Sequence, residues 1–181
     1  MRNDARRNRE RILAAAESVF GEQGARGSTE DVAQRAGVGI ATVFRHFPTK
    51  AALIEAALLA HFARLRRRAD ELVSDQDPER ALHALIREMI QAGATKLTLA
   101  SLLQADSSVP APVVAASGEL RATVEEVLTH AQRTGAVKAA VTVDEIYLLV
   151  RSLAQATATE PTNPATLDRA INIVLAGIQT S

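Results

Sequence analysis

Residues 28–47 read STEDVAQRAGVGIATVFRHF, and this stretch decides the fold. Ser28 is a good helix N-cap, and Asp31 three residues later completes a capping box. Val32, Ala33 and Ala36 then recur at helical spacing and form one apolar face. Gly37 follows at once, and glycine readily takes the left-handed conformation that ends a helix and turns the chain. Val38 fills the turn. A second short helix is expected from about Ile40 to Phe47, with Val43 and Phe47 on its inner side and Pro48 as its stop. Helices this short do not persist alone in water, so each must be pinned by the other. Pinned in that way, the second helix shows Thr42, Arg45 and His46 outward, beside Ile40 and Ala41 at its start. The spacing is that of a helix-turn-helix, whose second helix enters the DNA major groove by its N-terminal residues.

The wider stretch Arg9 to Leu58 resembles the TetR family of bacterial transcriptional regulators. The resemblance is carried by Phe20-Gly21-x-x-Gly24, by Thr29 with Val32-Ala33, by Ala36-Gly37-Val38, and by Thr42-x-Phe44-x-His46-Phe47-Pro48-x-Lys50. It implies an all-α fold of about nine helices, with a three-helix DNA-binding domain over residues 1–50 (arm 1–8, helix-turn-helix 28–47). It further implies a helical ligand-binding and dimerisation domain over residues 51–181. By resemblance Thr29, Phe44, His46 and Lys50 stand where the family touches the DNA backbone. Gly39, Ile40, Ala41, Thr42 and Arg45 stand at or near the base edges. Arg45 suits guanine, and Thr42 or Ala41 suits a thymine methyl. Three positions depart from the family pattern. Phe44 replaces a common tyrosine, Ile40 a commonly polar residue, and Gly39 a common serine. Fewer hydrogen-bonded base contacts are therefore expected, with more weight on Arg45, apolar contacts and DNA shape.

The charge distribution agrees. The chain of 181 residues has no net charge, but residues 1–50 hold nine Lys/Arg against six Asp/Glu, and the remainder twelve against fifteen. The basic excess sits with the helix-turn-helix. Cysteine is absent, which excludes disulfides, thiolate zinc sites and thiol nucleophiles. Four Phe, one Tyr and no Trp suit a helical chain better than a β-sheet core. No uncharged apolar run reaches the ~18 residues of a membrane span, and no secretory core follows the basic start, so a cytoplasmic protein without a membrane partner is expected.

Around the reader, Met1 to Glu10 is a polar arm with Arg2, Arg6, Arg7 and Arg9, either solvated or in contact with DNA. Ile12, Leu13, Ala16, Val19 and Phe20 form the stripe of a first helix that closes the core. Thr49 caps a fourth helix running to about Val73, and Lys50 in its first turn makes sense beside a phosphate. A fifth helix is expected to end near Ala92 at Gly93, a short sixth over Lys96–Ala105, a loop over Ser107–Pro112, and a seventh helix to about Arg133. Thr142 and Glu145 make a second capping box, opening the eighth helix, and EPTNP at 160–164 separates it from the ninth.

The eighth and ninth helices would pair with those of a second copy. The eighth would offer Ile146, Leu149, Val150 and Leu153, the ninth Leu167, Ile171, Val174, Leu175 and Ile178. A homodimer implies a near-palindromic operator. By the family resemblance, the middle helices would enclose a small-molecule effector. Polar candidates to orient it are His83, Arg87, Gln104, Arg121, Thr123, Tyr147 and Arg151, among apolar Ile86, Ile90, Leu103 and Val127. The expected function is a DNA-binding repressor released by a small apolar or amphipathic ligand. The alternatives are a family member that binds DNA without a ligand, and a helical module that binds protein. No cofactor or metal is implied: di-iron bundles need Glu-x-x-His, but Arg80 precedes His83 and Val127 precedes His130. Without a phosphate loop or nucleophile elbow, an enzyme is not expected.

Overall fold

The computed structural model describes residues 2–104, 109–160 and 162–180. Among them are eight α-helices: α1 (Arg2–Gln23), α2 (Thr29–Ala36), α3 (Ile40–His46), α4 (Lys50–Val73), α5 (Pro78–Gln104), α6 (Ala111–Arg133), α7 (Val143–Thr159) and α8 (Pro164–Ile178). A 3-10 turn at Gly24–Arg26 follows α1. The all-α class is as the sequence implies. The count is one lower because the expected fifth and sixth helices are one, α5. The expected ends at Ala105 and over Ser107–Ser108 lie outside the described residues.

Gly93 explains the difference. It is buried inside α5, and a Cβ there would come within 2.5 Å of the Ala154 Cβ on α7. Its glycine serves a close approach of two helices, not a helix end. The N-terminal arm also differs, being the first turns of α1 from Arg2 onward.

The chain forms two compact units. The first comprises Met1–Phe62 and Thr95–Ala115, the second Ala63–Ala94 and Ala116–Ser181. In the first, Ile12, Ala16, Val19 and Phe20 of α1 are buried with Val32 and Ala36 of α2, Val43 of α3, and Leu53 and Leu58 of α4. Thr95 and Thr98 of α5 lie against Gly21 and Gly24 at the end of α1.

In the second unit the fully buried side chains include Leu82, Leu85, Ile86 and Ile90 of α5, Val124 of α6, Ile146 of α7 and Ile171 of α8. Charged pairs stitch its helices together. Arg87 donates to Asp168 (2.9 Å) and Asn172 (2.6 Å) on α8, and Arg121 donates to Asp144 (2.7 Å) at the start of α7. Arg66 of α4 bonds Glu119 of α6. The Thr142–Glu145 capping box opens α7, and Asn163 caps α8. An antiparallel bridge, Val137 with Gln179, ties the α6–α7 loop to the end of α8.

Candidate nucleic-acid interface

The reader is built from the capping box outward. The Ser28 N–H donates to Asp31 Oδ2 (3.1 Å), and the Asp31 N–H donates to Ser28 Oγ (3.0 Å). Bonds from the Ser28 hydroxyl and N–H hold the Asp31 carboxyl below its usual range. The C-terminal end of α2 is latched to α1, where Arg35 binds Glu22 (2.7 Å) and Ser18. Gly37 then stands at φ +64°. Its N–H meets the Gln34 carbonyl (3.1 Å), and the Val38 N–H reaches back to Ala33 (3.0 Å). These are the bonds by which a left-handed residue closes a helix end.

The second helix, α3, has seven residues and no side-chain cap, since Gly39 occupies the N-cap. Val43 and Phe47 are buried and anchor it. At 3.6 residues per turn, Ala41 and Arg45 lie on its outermost line, Ile40 and Phe44 on one flank, and Thr42 and His46 on the other. Arg45 reaches Thr42 Oγ1 (3.3 Å), within the helix itself. Ile40 and Phe44 are 37% and 43% exposed, so both lie outside the core that holds Val43.

Two expected backbone-contact residues have duties inside the protein. The Thr29 side chain is buried, and its hydroxyl donates to Glu30 (3.1 Å). The Lys50 ammonium donates to the carbonyls of Gly27 (2.5 Å) and Ala25 (3.3 Å) and lies 5.4 Å from the centre of the Phe20 ring. It clasps the start of α4 to the loop before α2. Thr49 caps α4 through the Ala52 N–H (3.0 Å).

Two arginines of α1 join the site. The Arg9 guanidinium lies 5.4 Å from the Phe47 ring centre, at the end of α3. The Arg11 guanidinium lies against Gly37, 2.7 Å from where a Cβ would stand. Arg9 is three residues before Ile12, so the α1 stripe, extended backward, carried the signal. Nothing in the spacing marked Arg11.

Of the residues expected around an effector, Leu103 and Gln104 belong to the first unit and the others to the second. Ile86, Ile90, Thr123 and Val127 are buried, and Arg151 is exposed. Arg87 is held by Asp168 and Asn172. Two groups stand out. The Tyr147 hydroxyl and His83 Nε2 are buried with no hydrogen-bond partner among the described residues. Burial raises the Tyr147 phenol to about 12, against the Arg121 guanidinium over its ring, and lowers His83, helped by Arg87 and opposed by Glu79. A groove of about 620 Å³ opens elsewhere in this unit, lined by Val73, Glu125, Glu126, His130 and Arg133 among others, and none of the expected pocket residues line it.

Of the residues assigned to a subunit interface, Ile146, Val150, Ile171, Leu175 and Ile178 are buried within the single chain, while Leu149, Leu153, Leu167 and Val174 are half-buried. The large apolar side chains that α7 and α8 expose are Leu148 (54%) and Ile173 (74%). Among the described residues no group of three acidic or histidine side chains is placed to hold a metal. No described helix is long and apolar enough to cross a membrane.

A capped helix, a glycine turn and a short helix anchored by Val43 and Phe47 define a helix-turn-helix DNA-binding protein. Residues 12–57 match the bacterial regulatory proteins of the tetR family, and residues 77–180 match the C-terminal domain of SbtR-like transcriptional regulators. A TetR transcriptional regulator from Streptomyces coelicolor is 30% identical, covering 96% of this chain and 99% of its own, with a TM-score of 0.84. A TetR regulatory protein from Mycobacterium vanbaalenii is 32% identical over 99% of both chains, with a TM-score of 0.80. The fold recurs at 22% identity in the ketosteroid transcriptional regulator of Mycobacterium tuberculosis, covering 96% of this chain and 95% of that one, with a TM-score of 0.67. No curated protein matches the chain in sequence. The chain belongs to the TetR family and is a DNA-binding transcriptional regulator.

Proposed function

We propose that this regulator is a homodimeric repressor. It holds a near-palindromic operator with two α3 helices and leaves it on binding a small apolar or amphipathic ligand. The observation that carries the reading is the outer face of α3, where Ala41, Phe44 and Arg45 stand exposed on a helix pinned from behind by Val43 and Phe47. In this reading Gly39, Ile40, Ala41, Thr42 and Arg45 meet base edges, Thr29, His46 and Lys50 meet the backbone, and Phe44, expected at the backbone, shares the exposed flank of Ile40. An ammonium has three donors. Lys50 engages two carbonyls, so its third is left for a phosphate.

The ligand half of the proposal is supported by Tyr147 and His83. A buried polar atom left unpaired costs about 1–3 kcal/mol, and an incoming group that bonds it recovers that cost. The Tyr147 phenol stays protonated and burial favours a neutral His83, so an uncharged or amphipathic ligand suits them better than an ion. Leu148 and Ile173 support pairing with a second copy, since exposed apolar side chains of this size gain by being covered.

The test is selection of binding sites from a pool of random duplexes, followed by titration at two salt concentrations. Enrichment of an inverted repeat is expected, with affinity falling steeply with salt as several phosphates are neutralised. Arg45→Ala should weaken the sequence preference and keep the melting temperature. A ligand of the proposed kind raises Tm and weakens operator binding together. A pool with no enriched sequence, or a selected site without twofold symmetry, overturns the reading.

A further inference from the structure

The described residues expose five large apolar side chains: Ile40, Phe44, Val114, Leu148 and Ile173. Two of them share the seven-residue α3, four apart and so one turn apart on the same flank. The hydrogen-bonding equipment of that helix is correspondingly thin. Gly39 has no side chain and nothing within 4 Å of where one would begin. Ala41 has only a methyl group, and the Thr42 hydroxyl accepts from Arg45. Ile40 and Phe44 thus form an apolar strip along a helix otherwise served by Arg45 and His46.

In the major groove the apolar group on a base edge is the C5-methyl of thymine. We infer that Ile40 and Phe44 read the 5-methyl groups of pyrimidines, so that each half-site carries thymine opposite this strip. The inference rests on the assignment of α3 as the reader. It has a consequence beyond sequence choice. An apolar side chain makes no hydrogen bond to the group at C4, so it does not separate thymine from 5-methylcytosine, which carries the same methyl at the same ring position. A methylated cytosine opposite the strip is bound better than an unmodified one, and the operator responds to cytosine methylation.

The experiment uses the operator recovered by selection. Each thymine is replaced singly by deoxyuridine, which keeps the pairing with adenine and removes only the methyl group. Burying one such carbon is worth about 0.8 kcal/mol, or roughly a fourfold change in Kd at 1.4 kcal/mol per tenfold. Losses of about that size are expected at one or two thymines of each half-site. They should vanish in an Ile40→Ser, Phe44→Ser double variant, which retains its fold because both side chains are exposed; a thermal melt checks this. At the same positions a 5-methylcytosine–guanine pair should bind about fourfold better than cytosine–guanine. Deoxyuridine that is silent at every thymine overturns the inference, as does a deoxyuridine effect unchanged in the double variant, since DNA shape would then be its cause. A pool that yields no enriched sequence defeats the reader assignment and this inference together. Enrichment with silent deoxyuridine defeats this inference alone.

Discussion

Replacing Gly93 with alanine separates two opposed effects whose sizes the structure sets. In an exposed helix interior the change would stabilise by about 1 kcal/mol, because alanine is the better helix former. At Gly93 the new Cβ would stand 2.5 Å from the Ala154 Cβ. Carbon atoms in contact prefer about 3.5–4.0 Å, so α5 and α7 must part by roughly 1 Å. Ile90 and Val150, about a turn back on the two helices, are buried, so the parting loosens packed side chains. Overpacking of this kind costs about 1–3 kcal/mol. The net expectation is a loss of roughly 0–2 kcal/mol, with Tm moving about 2–4 °C per kcal/mol for a chain of this size. The decisive measurement is a double-mutant cycle by urea unfolding. In an Ala154→Gly background the clash is gone, and Gly93→Ala should show its full benefit of about 1 kcal/mol. Gly118→Ala on α6, where nothing lies within 4 Å of the new carbon, serves as the control and should stabilise in either background. If Gly93→Ala has the same effect in the wild-type and Ala154→Gly backgrounds, the close approach is not what places glycine there.

Ser28→Ala should lower Tm by a few degrees near neutral pH, as cap removal does. The Asp31 carboxyl titrates below its unfolded value, so the stability it contributes is full above that value and is lost as pH falls through the folded one. The gap between wild type and Ser28→Ala, followed by urea unfolding, should therefore narrow in acid; a gap that widens would contradict the box. Lys50→Met removes the clasp on Gly27 and Ala25 and should cost about 1 kcal/mol in a thermal melt without DNA. An unchanged melt would leave Lys50 no structural duty. Tyr147→Phe deletes a buried hydroxyl that has no partner among the described residues and should stabilise the ligand-free protein by up to about 1–3 kcal/mol, while weakening the proposed effector. Destabilisation would mean that the hydroxyl is satisfied.

The helix-turn-helix was legible because its signals are local. A capping box, a left-handed glycine and a proline stop act within four residues, and each is where the sequence places it. The same reasoning misplaces Gly93, since a glycine after an apolar stretch has the same signature at a helix end and at a close crossing. The crossing partner, Ala154, is 61 positions away and carries no mark of its own. Lys50 shows a related limit. A lysine in a first helical turn calls for an oxygen partner, but the sequence does not say whether that oxygen belongs to a phosphate or to the Gly27 carbonyl.

The apolar stripes of α7 and α8 raise the same question on a larger scale. A 3.6-residue period identifies a face that is covered without saying what covers it. Ile146, Val150, Ile171 and Leu175 are covered by their own chain, whereas Leu149, Leu153, Leu167 and Val174 of the same stripes are half-buried. The proposed contact through these helices would use the side that shows Leu148 and Ile173. The two faces respond differently to charge. Leu148→Asp and Ile173→Asp leave each chain folded but put a carboxylate where the proposed partner would sit, and the dimer should dissociate to a folded monomer in sedimentation. Ile171→Asp buries an unpaired carboxyl in the core and should unfold the protein outright. Were Leu148→Asp and Ile173→Asp together to remain dimeric, the copies would meet somewhere else. Operator half-site spacing would then have to be explained from that other face.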